Sequence, residues 1–286
     1  VLAGLVLCGF VANGTRADEG DGRQLYQRHC AGCHGANGDG VGIASRFLYP
    51  RPRDFRSGHY RLVSTSNGVP THADIDAVLV RGMPGSSMPP WPTLSEAQRR
   101  AIVDYVLDFR KQAIREREKA DAEDAGEEFD AEATESLVLD LTTPGEPVPV
   151  KAEVPESPAV LERGQALYAA NCASCHGKEG KGDGQEKMID AEGYPTRPRD
   201  LTLGIYKGSP SYESVYRRVL AGMPGTPMPA SPKLTDHEVG EVTRYVLSLS
   251  NEEQRERVLL KRRQLTAARV KSIPGLNGPE WNWSKS

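Results

Sequence analysis

Apolar positions recur at helical spacing along most of this chain, and the same arrangement of them comes round twice. Leu25 and Tyr26, then Cys30 and Cys33, share one face of a short helix. Residues 71–81 and 211–221 read as second helices, each ended by Gly-Met-Pro. Leu94-Ser95-Glu96 and Leu234-Thr235-Asp236 open third helices on a Ser or Thr N-cap. Their buried stripes are Ile102, Val103, Val106 and Leu107 in the first case and Val242, Val246 and Leu249 in the second. Long loops rich in Gly and Pro separate these helices. Such loops suit a domain whose centre is filled by a large apolar ligand. The pattern predicts an all-α fold.

The repetition extends to the residues themselves. Gly22 to Gly35, with Cys30-Ala31-Gly32-Cys33-His34 inside it, returns as Gly164 to Gly177, with Cys172-Ala173-Ser174-Cys175-His176. Arg51-Pro52-Arg53-Asp54 returns as Arg197-Pro198-Arg199-Asp200. The stretch from Gly82 to Pro89 returns as Gly222 to Pro229, and Tyr105-Val106-Leu107 as Tyr245-Val246-Leu247. Four blocks in one order mark two homologous domains, drawn at 18–112 and 160–250.

Between them, 113–159 differs in kind. From Lys119 to Glu156 the chain carries twelve acidic residues against two lysines, with four prolines. Composition of this sort predicts an extended, mobile linker. Within it, Leu137-Val138-Leu139-Asp140-Leu141 reads as a short strand able to lie against a domain. Residues 251–286 form a basic helical tail.

Charge and composition narrow the classes. A net charge of −3 offers no basic face for nucleic acid. Hydrophobic residues at 38% and aromatics at 6% of 286 residues are lean for one large core and adequate for two small ones. The apolar run Val1 to Ala12 falls short of the ~20 residues of a spanning helix. With Thr15-Arg16-Ala17 behind it, it reads as the end of a secretory signal, 1–17, and predicts a periplasmic or otherwise exported protein.

Cys-x-x-Cys-His is the attachment signature of a c-type haem. Two thiols three residues apart on one helical turn meet the two vinyl groups of a porphyrin, and the next His turns a ring nitrogen to the iron. A zinc site would need four ligands, and neither repeat has a second Cys pair. A dithiol redox pair would need neither the His nor the repeat. Four of the five cysteines lie in these motifs and Cys8 in the apolar leader, so no structural disulfide remains to be made. The expectation is two covalently attached haem c groups, on Cys30, Cys33 and His34 and on Cys172, Cys175 and His176.

On these motifs both repeats resemble class I cytochromes c. The resemblance implies an N-terminal helix carrying the haem motif, a C-terminal helix packed across it, and a Met as sixth iron ligand on a loop before that last helix. Met88 and Met228, in Ser-Met-Pro-Pro-Trp and Pro-Met-Pro-Ala, match the family's Met-Pro loop. They are preferred to Met83 and Met223, which would pack at the porphyrin edge. His29, His59, His72 and His237 are the rival ligands, but His59 and His72 have no His at the matching positions of the second repeat. His237 sits at a helix N-terminus facing solvent, and His29 precedes Cys30 and cannot reach the far face. Arg51, Arg53, Arg197 and Arg199 are candidates for the haem propionates, since guanidinium binds carboxylate in a fork. The Pro-held loop around them is suited to present a carbonyl to the proximal His.

The function this implies is a dihaem electron carrier cycling Fe(II)/Fe(III) between redox protein partners, alone or as a subunit of a respiratory complex, membrane-associated complexes included. It is not an enzyme in its own right. The alternative is a dihaem cytochrome c peroxidase-like enzyme, whose peroxidatic haem needs a vacated distal face that neither repeat suggests. The tail from Thr266 to Trp283 resembles the lead-in to the haem-binding domain of ethylbenzene-dehydrogenase-type enzymes, which would make the native chain longer.

Overall fold

The computed structural model describes residues 21–151, 153–185 and 187–271. The apolar leader and the Trp-bearing end of the tail, with the expectations attached to them, lie outside the described residues.

Each repeat contributes four helices. In the first these are α1 (Gly22–His29), α2 (Ala31–His34), α3 (His72–Arg81) and α4 (Glu96–Ala125). After α5 (Ala131–Thr142) the second repeat follows with α6 (Pro158–Asn171), α7 (Ala173–His176), α8 (Tyr212–Ala221) and α9 (Asp236–Ser248). The tail begins as α10 (Glu252–Lys271). Among the described residues the only sheet is an antiparallel pair, Met188–Ile189 with Pro195–Thr196. None of the described helices is long and apolar enough to cross a membrane.

The helices start where side chains can satisfy their free N–H groups. Thr71, Ser95 and Thr235 each close a capping box, with Asp74, Gln98 and Glu238 reaching back to the cap. Helix α1 packs across α4, and α6 across α9. The crossings are close because a glycine stands at each. A Cβ on Gly22 would sit 2.1 Å from the Ala101 carbonyl oxygen, and one on Gly164 2.3 Å from that of Glu241. Tyr26 and Tyr168 fill the space beneath these crossings, and their hydroxyls donate to the carbonyls of Gly35 and Gly177 at 2.8 and 2.9 Å. Each domain's core is thereby tied to the end of its Cys-x-x-Cys-His turn.

The segment between the repeats departs from the extended linker and the short strand expected of it. Helix α4 runs on to Ala125 and ends at Gly126 in the left-handed conformation, and α5 returns along it. Ile114 and Val138 are 1% and 2% exposed. Arg115 donates twice to Glu135, at 2.6 and 2.9 Å. Leu137 to Leu141 are therefore helical. Acidic composition set the expectation, but Ala, Glu, Lys and Arg are also strong helix formers. One buried stripe was enough to fold them into a hairpin.

Beyond the hairpin the chain straps both domains. Ser66 N–H donates to the Glu146 carbonyl at 2.8 Å and Val148 N–H to that of Ser64 at 2.7 Å. A few residues on, Arg244 Nε donates to the Val154 carbonyl at 2.6 Å.

Candidate functional site

The haem motifs sit at a helix break. Helix α1 ends at His29, Cys30 turns the chain, and α2 carries Cys33 and His34. Cys172, Cys175 and His176 occupy the same positions between α6 and α7. Each motif opens on a cavity. That of the first repeat measures about 1180 Å³ including its open mouth, and that of the second about 1310 Å³.

Both histidines are held in one tautomer. His34 Nδ1–H donates to the Arg53 carbonyl at 3.1 Å, and His176 Nδ1–H to the Arg199 carbonyl at 3.3 Å. A carbonyl only accepts, so Nδ1 carries the proton and Nε2 keeps a free lone pair. Burial pushes both imidazoles below their usual range, which keeps them neutral and able to ligate. Burial raises the Cys30 thiol to about 12 and the Cys172 thiol to about 11. Neither is the low-pKa thiolate of a redox pair. Among the described residues no three His, Cys, Asp or Glu side chains gather as a metal ion would require.

The methionine loops form the far end of the lining. Met83 N–H donates to the Met88 carbonyl at 3.0 Å, and Met223 N–H to that of Met228 at 3.1 Å. Ser86 and Thr226 brace the turns by donating to the carbonyls of Met83 and Met223. All four methionines reach their cavities. Arg51 and Arg53 line the first cavity, Arg197 and Arg199 the second. Of the other histidines, His29 stands edge-on to Trp91, while His72 and His237 pair with Asp104 and Glu241.

Several lining residues escaped the sequence reading. Phe55 stacks on the His34 ring at 4.5 Å, and Trp91 brings a buried indole N–H with no partner. Arg61 lines the first cavity, while Lys207 and Arg218 line the second. A signal for two of them was present: Gly58-His59-Tyr60-Arg61 returns as Gly204-Ile205-Tyr206-Lys207.

The lining suits a haem. Each cavity offers a neutral imidazole, two thiols and thioethers in an apolar setting, and the first adds orphaned buried donors at Arg53 Nε and Nη2, Arg61 Nε and Trp91 Nε1. Unpaired donors of this kind call for an anionic ligand group, and a haem carries two carboxylates.

Two helical domains, each closed over such a cavity, define a protein that carries a macrocycle on thioethers. The chain belongs to the cytochrome c family, whose profile matches residues 20–109 and again 161–250. It is a tandem cytochrome c, and membership implies covalently bound haem c and a part in electron transfer. It is 33% identical over 96 residues to the cbb3-type cytochrome c oxidase subunit CcoP of Azospirillum sp. (strain B510), covering 30% of this chain and 30% of that subunit. The chain thus spans under a third of that relative's length. It is 35% identical over 89 residues to cytochrome c-555 of Prosthecochloris aestuarii, covering 31% of this chain and 86% of that protein. A chain of the Kuenenia stuttgartiensis reducing HAO-like protein complex superposes with a TM-score of 0.68 at 33% identity, over 81% of this chain and 96% of that one.

Proposed function

We propose that this chain is an exported dihaem electron carrier, one haem c in each repeat, serving as the electron-transfer subunit of a larger oxidoreductase or respiratory complex. The observation that carries this reading is the doubled lining. Each cavity is walled by a Cys-x-x-Cys-His turn and a methionine loop, with the His ring aimed by an arginine carbonyl. Bound haem supplies one-electron chemistry at iron.

The residues of the chain have separate parts in this. Cys30 and Cys33, and Cys172 and Cys175, would anchor the macrocycle, and His34 and His176 would offer their free Nε2 to the iron. Met88 and Met228 would supply a thioether to the iron of a bound haem in their respective cavities. Met83 and Met223 close the loops through their backbone bonds to these residues. Arg51, Arg53, Arg197 and Arg199 hold the propionates. Phe55 keeps water from the His34 ring. A thioether on the iron favours the reduced state. The complex is suggested by the Kuenenia relative, nearly all of whose length this chain covers.

A pyridine spectrum tests the haem count, and two haems per chain are expected. The oxidised protein should show the weak sulfur-to-iron band at the red end of the spectrum. Met88→Ala and Met228→Ala should each remove one haem's share of it. Loss of the band on Met83→Ala and Met223→Ala instead would reverse the ligand assignment.

A further inference from the structure

The two haem cavities are not isolated from each other. Leu62 lines both. Around it the repeats meet through contacts made in both directions. Arg199 Nη1 of the second repeat donates to the Gly85 carbonyl of the first at 3.1 Å. In return, Gly225 of the second repeat stands so close to Arg53 of the first that a Cβ there would lie 2.9 Å from Arg53 Nη1. Arg218 donates to the Arg61 carbonyl at 3.1 Å and to that of Val63.

The seam is strongly cationic. Arg53, Arg61, Arg199, Lys207 and Arg218 converge on it, and among the described residues Asp190 and Glu192 of the second repeat and Asp74 near Arg218 face them. Buried guanidinium donors without partners are costly, and at this seam Arg53 Nε and Nη2 and Arg61 Nε have none, which an anion would supply. Burial and the neighbouring guanidinium groups depress Lys207 to about 7, and burial depresses Arg61 to about 10. The buried donors of Arg53 and Arg61 that lack partners lie at this same seam.

We propose that the seam is one carboxylate seat shared by both haems, in which Arg53 and Arg61 of the first repeat and Arg199 and Lys207 of the second hold propionates from the two cavities together. The proposal rests on the dihaem reading above. Arg61 and Lys207 stand at matching places of the two repeats, as do Arg53 and Arg199, so each domain brings one equivalent pair. The consequence is coupling. A charge belonging to one repeat sets the potential of the haem in the other.

The test reads each haem by its own methionine band. In a Met228→Ala background the remaining band belongs to the first-repeat haem, and its loss on reduction can be titrated against applied potential. Lys207→Met, a change in the second repeat, should lower the reduced-to-oxidised ratio of that first haem at fixed potential by about tenfold, about 59 mV for one electron. Lys207→Arg, which keeps the charge, should restore most of it. In a Met88→Ala background, Arg61→Met should lower the second-repeat haem in the same way, and this arm stands even if the lysine variant fails to fold. A two-haem protein in which Lys207→Met and Arg61→Met each move only the haem of their own repeat would overturn the shared seat alone. A wild-type chain holding fewer than two haems would overturn the dihaem reading and the seat with it.

Discussion

Gly164 lies in the interior of α6, where glycine costs about 1 kcal/mol against alanine in an isolated helix. Propensity alone says that Gly164→Ala stabilises. The crossing with α9 gives the opposite sign. The added carbon would stand 2.3 Å from the Glu241 carbonyl oxygen and 2.9 Å from Tyr245 Cβ. Heavy-atom contacts relax near 3.5 Å, so the two helices must part by about 1 Å. The obstacle is backbone and cannot swing aside. Overpacking of this kind costs up to about 3 kcal/mol, leaving a net loss of about 2 kcal/mol after the propensity gain. For a protein of this size that lowers the melting temperature by about 4–8 °C. The assay is a thermal melt of the haem-loaded protein followed by far-ultraviolet circular dichroism. Gly32→Ala is the control, because a Cβ there meets nothing within 4 Å and the second repeat has Ser174 at that place. It should stay within about 0.5 kcal/mol of wild type. A Gly164→Ala protein melting at or above wild type would refute the reasoning, and Gly22→Ala should behave as Gly164→Ala does.

The remaining predictions concern the helical hairpin and the strap. Native protein should resist limited proteolysis across 113–159, and rapid cutting into two haem-bearing halves would contradict the strap. Ile114→Ala empties a seat that is 1% exposed and should cost about 2–5 kcal/mol, with α5 becoming the first segment cleaved. The hydrogen bonds from Arg115 hold the Glu135 carboxyl below its usual range. Their stabilisation is therefore complete above the ordinary glutamate value of about 4.3 and fades as pH falls through the depressed one. Amide protection in α5 should decline over that acid window, and Glu135→Gln should abolish the dependence.

Local chemistry was legible in the sequence wherever it repeated. Ser95 and Thr235 are capping residues in the structure, at the starts assigned from their residue types, and Thr71 caps the helix read over 71–81. The 113–159 segment was misread because its charge count was averaged over the whole stretch. Ile114, Thr134 and Val138 are few, and only their placement on facing helices makes them a core. The pairing of Arg61 with Lys207 was readable as a conserved charge within the repeat. Its meaning depends on two domains meeting, which neither repeat records by itself.

The reciprocal contacts of Arg199 with Gly85 and of Gly225 with Arg53 are the mark of an isologous interface, in which one surface recognises its own copy. Such a surface does not need a tether to be specific; the tether makes pairing intramolecular. The helical hairpin and strap thus act as a concentration device on a self-complementary patch. Asp190 and Glu192 break the equivalence, since the shorter segment 43–50 of the first repeat has no acid to answer them. The acids of the second repeat meet arginines of the first, so the pairing of unlike repeats carries ion pairs that two first repeats would lack.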